Sequence, residues 1–272
     1  MSVRSRRTAL GAPKGDRTSH AGLLLNRYLE SVVSAADTDN IKAQAARQEI
    51  LRLAKGASAA SRNLYNLAYS RWERSLPKPR MNREFEATYR LIVGLGGHHV
   101  LETGLTLHHT YGTPLIPGTA LKGLAAKYCH EVWGNTADGA NYEKFSGAPG
   151  EEGECFRVLF GTQDEGGLMT FHDAWITPGS LTKALVDDVI TPHHSEYYSG
   201  KQEEPTDFDS PIPIPFLSVS GTFLVALSAD RSRPNPDKWL DLAFTLVTQS
   251  LREWGVGGKT SSGYGRLTPV AG

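Results

Sequence analysis

The apolar positions recur first with a helical period and later with a strand period, and the change comes at Phe85. Ahead of it, Leu24, Leu25, Tyr28, Leu29 and Val32 form one stripe, and Leu64, Leu67, Ala68, Trp72 and Leu76 form another. An alanine-rich helix is predicted between them over 41–55, and Pro77 and Pro79 close the region. From Phe85 to Val93 the period is two, which predicts a half-buried strand. A long loop over 94–118 then leads into a helix that opens at Pro117-Gly118-Thr119, with Thr119 as its cap, and buries Leu121, Leu124, Ala125 and Tyr128. Strands are predicted over 156–160 and 168–176, and a strand or bent strand pair over 215–228. A helix over 236–254 keeps Leu240, Ala243, Phe244, Val247, Leu251 and Trp254 on one face, and a short strand over 266–270 follows it.

Stretches 134–153 and 178–213 read as irregular insertions. Without them the order from Phe85 is strand, helix, strand, strand, helix, strand. This predicts an α+β fold of the ferredoxin-like (RRM-like, βαββαβ) plan, an antiparallel sheet with helices on one face and the other face open. The expected organisation is a basic flexible arm over 1–20, a helical extension over 21–80 packed on the main domain, and that domain over 81–272, with insertions at about 134–154 and 178–213. The arm carries Arg4, Arg6, Arg7, Lys14 and Arg17 against Asp16, and either orders on RNA or a neighbouring subunit or stays solvated.

Composition narrows the function. At 39% hydrophobic and 21% charged, the 272 residues are those of an ordinary globular protein. Basic and acidic residues balance at 29 each, which excludes a polycation that coats nucleic acid; any such contact is local or shared with partners. Two cysteines without CxxC spacing exclude a zinc finger or a disulfide framework. With neither a long apolar run nor a signal peptide, the expected location is the cytoplasm, with no membrane partner.

The unusual segment is GVGGKTSSGYGR over 255–266, with five glycines in twelve residues. Glycine loses much backbone entropy on ordering, so such a run signals a backbone that comes close to something, or else a loose connector. With Lys259, Thr260, Ser261, Ser262, Tyr264 and Arg266 beside Gly255, Gly257, Gly258 and Gly263, the candidate ligand is a polyanion. Thr119 and Lys122, at the start of the helix that opens at Pro117-Gly118-Thr119, are expected to add partial positive charge next to it. A nucleotide-binding P-loop is excluded, because its first glycine would fall at Glu253 and the loop follows a helix instead of a strand. The pairs His98-His99, His108-His109 and His193-His194 admit acid–base, metal-ligand and RNA-contact or structural readings. The RNA-contact reading is carried forward for His98, His99 and His108, with no metal, cofactor or catalytic residue assigned.

Four segments carry a resemblance: AGLLLNRYL, VLETGLTLHHTYGTPLIPGTALKGLAAKYC, FGTQDEGGLMTFHDAW and GVGGKTSSGYGRL. Together, over about 21–267, they resemble the RAMP superfamily, the RNA-binding proteins of CRISPR systems, and within it the subunits of type III-B (Cmr) effectors. The resemblance implies a Cas7-like subunit near one end of a helical assembly on a guide RNA. Its implied partners are CRISPR guide RNA, target RNA and other Cmr subunits, namely the Cas7-like backbone, small and first subunits. Family backbone subunits cut target RNA with an aspartate between the first strand and first helix. Here 94–118 holds no Asp and a single acid, Glu102. The expectation is therefore a non-catalytic RNA-binding subunit that caps the filament near the 3′ part of the guide. The alternative is a metal-independent endoribonuclease that processes guide RNA with histidine acid–base catalysis. By the same resemblance 178–213 is either a thumb or a subunit interface, and Glu203-Glu204 and Asp207–Asp209 favour the interface.

Overall fold

Three helices lead the chain in the computed structural model, which describes residues 15, 16, 18–27, 40–96, 101, 103–135, 141–191, 204, 213–232 and 234–271. They are α1 (Ala21–Arg27), α2 (Asn40–Ala60) and α3 (Arg62–Ser75). The basic residues of the arm, the remainder of the first stripe from Tyr28 on, and His193-His194 lie outside the described residues. The predicted stripe on α3 holds in part: Ala68 and Leu76 are buried and Trp72 is half-buried, but its two leucines inside the helix point outward. Tyr65, Ala68 and Tyr69 are buried, while Leu64 and Leu67 are 61% and 63% exposed. Aromatic area decides the face: Trp72 stacks flat on Trp175 of the sheet at 4.9 Å and 4°, and Tyr65 stacks on it at 5.8 Å and 21°. The Tyr65 hydroxyl also donates to the Ile176 carbonyl at 2.7 Å, which fixes α3 in rotation.

Strand β1 (Arg80–Ala87) begins and ends earlier than its apolar alternation suggests. Beyond it Leu91 makes only an isolated bridge to Val219. β2 (Leu115–Ile116) precedes α4 (Gly118–Tyr128), which widens into a π turn over Cys129–Gly134, and a short helix α5 (Tyr142–Phe145) follows. The stretch predicted as a strand over 156–160 is instead helix α6 (Glu154–Phe160). A five-residue run of four apolar side chains and Arg157 fits either period; here Gly161, at φ +82°, terminates a helical turn, and a Cβ there would meet backbone at 2.4 Å.

The predicted strand over 168–176 is broken at His172-Asp173 into β3 (Met169–Phe171) and β4 (Ala174–Ile176). The stretch over 178–213, predicted as an irregular insertion, holds a 3-10 turn over Leu181–Lys183 and then strand β5 (Leu185–Ile190), which pairs with β6 (Ile214–Val219) in a separate two-stranded sheet. β7 (Thr222–Ala229), α7 (Pro236–Glu253) and β8 (Leu267–Pro269) complete the chain close to their predicted places.

The main sheet runs β2-β4-β7-β1-β8, with β3 also on β7, and every pairing is antiparallel. Helices and antiparallel strands thus make a mixed α and β fold. β7 is buried along Phe223–Ala229 without alternation, as a strand covered on both faces must be. On one side Phe85 meets Phe244 of α7 at 6.0 Å. On the other, the aromatic side chains of α3 lie over Trp175, which pairs with Leu224. The face predicted to be open is therefore covered over β4 and β7. Where it is exposed, at β1, it presents Glu84 and Glu86, an unfavourable surface for a polyanion. Among the described residues no helix is long and apolar enough to cross a membrane.

Candidate functional site

The glycine loop lies between the segment that follows β1 and the small β5–β6 sheet. Gly258 N–H donates to the Ile92 carbonyl at 2.7 Å, Gly265 N–H to that of Arg90 at 2.7 Å, and Val256 N–H to that of Gly265 at 2.9 Å. A Cβ at Gly257 would stand 2.2 Å from the Ile92 oxygen, one at Gly265 2.1 Å from the Val256 oxygen, and one at Gly255 2.8 Å from backbone of Gly265. All three have positive φ. The close approach that these glycines permit is thus made to their own chain. Underneath, Ile92, Phe216 and Tyr264 form a separate small core. Tyr264, predicted to contact RNA, is buried, and its hydroxyl donates to Asp188 of β5 at 2.8 Å. Burial first, and then that carboxylate, push the phenol up to about 12. Its role is to anchor the loop.

What remains free is the tip. Lys259 sits at φ +57° and opens a single 3-10 turn over Thr260–Ser262, in which Ser261 and Ser262 are exposed and Lys259, Thr260 and Gly263 are half-buried. Gly263, at φ +85°, faces open space. The first amides of any helical turn lack partners within it, so this tip offers N–H groups, hydroxyls and an ammonium together. Arg266, also exposed, borders the tip, and its carbonyl accepts the Thr88 N–H at 2.9 Å.

The second predicted element lies elsewhere. Thr119 makes no cap hydrogen bond; the cap position is Pro117, and Asp173 of the β3–β4 break accepts the Gly118 N–H at 2.7 Å. A carboxylate thus already occupies the helix end that was predicted to attract phosphate. Gly118 abuts Phe171, which pairs with Leu227 opposite Met81, whereas the glycine loop lies beyond Ala87. The six steps along β1 from Met81 to Ala87 put about 20 Å between the two places at roughly 3.3 Å per step. Thr119 and Lys122 are exposed but do not share a surface patch with the loop tip. Asp173 had no signal in the sequence, since nothing there marks an acid between two short strands as a helix cap.

Of the histidines, His98 and His99 lie outside the described residues, as does Glu102. His108 is a turn residue: its Nδ1 accepts the Thr110 N–H at 3.1 Å, and its ring packs at 4.7 Å on both Tyr111 and Trp175. Burial holds its pKa below the ordinary 6.5, with His109 and His20 adding to the effect and Asp173 opposing it. His172, whose Nε2 lies 2.8 Å from the Ser228 hydroxyl, is shifted down by burial too. For such groups the unfolded chain takes up protons first. Their contribution is complete above 6.5 and is lost as pH falls from there through the lower folded values. Thermal unfolding temperature is accordingly expected to fall between about pH 7.5 and 5.5, and less steeply in His108→Phe. An unchanged slope in the variant would assign the proton uptake to other groups. Among the described residues no three His, Cys, Asp or Glu side chains stand close enough to hold a metal ion.

A family model described as "RAMPs: RAMP superfamily" matches residues 84–268, from within β1 through β8. The chain belongs to the RAMP superfamily. Within it, the chain is 33% identical over 230 residues to the CRISPR system Cmr subunit Cmr6 of Pyrococcus furiosus, a match that covers 68% of this chain. The chain spans 66% of that relative's length. The cryo-EM structure of the type III-B Cmr-beta bound to cognate target RNA contains a chain that superposes with a TM-score of 0.61. That match covers 92% of this RAMP chain and 84% of the other at 18% identity, a likeness of fold. The crystal structure of Cmr6 from Pyrococcus furiosus is 30% identical over 72% of this chain and 100% of that one, with a TM-score of 0.45. The family resemblance seen in the sequence motifs and the resemblance to Cmr6 thus agree.

Proposed function

We propose that this RAMP protein is a non-catalytic RNA-binding subunit of a type III-B CRISPR (Cmr) effector. In this reading it caps the Cas7-like filament near the 3′ part of the guide and helps to hold guide and target RNA for antiviral defence. The observation that carries the reading is a free cationic tip, Lys259 to Gly263 with Arg266, on a base immobilised by glycine packing. A preorganised loop binds phosphate without a further ordering cost. Homology to a Cmr subunit supplies the class of assembly. The strand order β4-β7-β1-β8, with α4 and α7 packed together, supports the ferredoxin-like plan. His108, with Nδ1 committed to its own turn and its ring packed, favours the non-catalytic reading. Neutral overall charge accords with an RNA channel shared among subunits.

The test uses the full chain and single-stranded RNA across a salt series. Lys259→Ala with Arg266→Ala is expected to weaken binding and to reduce the slope of log affinity against log salt by about 0.7 for each lost phosphate contact. Lys122→Ala, on the helix that begins near the far end of β1, is expected to add an independent, smaller loss, because an extended RNA strand can reach both places. Unaltered affinity and slope in the loop variant, together with unchanged RNA retention when co-expressed with Cmr partners, would end the assignment.

A further inference from the structure

Between β1 and the glycine loop one aromatic ring stands out of the surface where none was assigned a role. Tyr89 is 53% exposed, although the backbone on each side of it is clamped. Thr88 N–H donates to the Arg266 carbonyl at 2.9 Å, and the Arg90 carbonyl accepts Gly265 N–H at 2.7 Å. The ring is fixed as well. Tyr264 meets it edge-on, with centroids 5.5 Å apart at 72°, and the Arg90 guanidinium stands 5.4 Å from its centroid. Arg90 is itself held, donating from Nη1 to the Ser218 hydroxyl at 3.2 Å. Tyr264 is tied to Asp188, so that carboxylate already accepts a hydrogen bond from within the protein.

An isolated exposed tyrosine needs no explanation. This one is rigid, flanked by a guanidinium, and hydrogen-bonded through its neighbours to the segment that carries Arg266. A fixed π-face beside cations that track a phosphate backbone is the physical form of a single-strand nucleic-acid platform: stacking accepts every base, and the cations take the phosphates.

We propose that Tyr89 stacks against one nucleobase of the RNA strand gripped at the loop tip, with Arg90 supporting the ring and Arg266 and Lys259 holding the adjoining phosphates. This deepens the RNA-binding reading above and rests on it. Recognition is by stacking, so it distinguishes a strand with bases from one without and discriminates weakly among bases.

The experiment measures binding of the full chain, by fluorescence anisotropy, to a single-stranded RNA and to an abasic ribose-phosphate strand of equal length. Tyr89→Ala is expected to bind the RNA about tenfold more weakly and the abasic strand as the parent does, while Tyr89→Phe and Tyr89→Trp retain RNA affinity. Arg266→Ala is expected to weaken both. Equal loss on the two strands in Tyr89→Ala, or no loss on either, overturns the stacking role and leaves RNA binding by the tip intact. A parent protein that binds neither strand overturns the tip reading and this proposal with it. Unchanged abasic binding doubles as the check that Tyr89→Ala is folded.

Discussion

Gly257→Ala is expected to destabilise the protein by about 3–5 kcal/mol, a fall in unfolding temperature on the order of 10 °C for a chain of this size. Two costs combine. A non-glycine residue at φ +93° carries backbone strain of about 1–2 kcal/mol. The new Cβ also stands 2.2 Å from the Ile92 carbonyl oxygen, a backbone atom that already accepts the Gly258 N–H. Relief requires the loop to lift, which breaks that bond and opens the small core of Ile92, Phe216 and Tyr264. Gly265→Ala, with its Cβ 2.1 Å from the Val256 oxygen, belongs to the same class. Gly263→Ala is the control: at φ +85° it bears the strain but meets nothing, so about 1–2 kcal/mol is expected. Urea or thermal melts of the three variants measure the difference. Equal effects at Gly257 and Gly263 would mean that the loop yields easily, and the claim of a rigid base for the tip would be lost.

Trp175→Ala is the second large effect, expected at about 4 kcal/mol. Its indole lies flat against Trp72, beside Tyr65, and takes the edge of His108, so removal leaves a cavity where α3, the 107–114 turn and β4 meet. Stability and shape are both at issue, because this stack attaches the leading helices to the sheet. A double-mutant cycle with Trp72→Ala is expected to show coupling of about 1 kcal/mol or more. Strict additivity would mean that α3 is held by other contacts, such as Tyr65 to the Ile176 carbonyl.

Sequence pattern was a reliable guide where one periodic face dominates. Helix α7 keeps its stripe over five turns, and its core positions Leu240, Ala243, Phe244, Val247 and Leu251 are all buried. It failed at short apolar runs, because five residues at 156–160 satisfy a helix and a strand alike and a glycine with positive φ settles the matter. On α3 the periodicity placed Ala68, Trp72 and Leu76 correctly but not Leu64 and Leu67, because long-range stacking on Trp175 turns Tyr65 and Trp72 inward. The glycine loop was recognisable as a special backbone from composition alone. That Gly257 packs on the Ile92 carbonyl and that Gly265 N–H donates to the Arg90 carbonyl could not be read from the sequence, since those partners are more than 160 residues away. Shorter gaps of 76 and 55 residues concealed the tie from Tyr264 to Asp188 and Asp173 as the partner of Gly118, and a long one concealed Tyr89 as a neighbour of Arg266.

The loop's foundation has a practical side for anyone trimming this protein. Asp188 belongs to β5 and Phe216 to β6, so the strands that flank the 191–213 excursion are also the floor under the glycine loop. A minimal version that excises 178–213 wholesale would take away the hydroxyl acceptor of Tyr264 and orphan the pairing edge of β6. A shortcut placed strictly between Ile190 and Ile214 keeps both, the acceptor for Tyr264 and the full six-residue pairing under the loop.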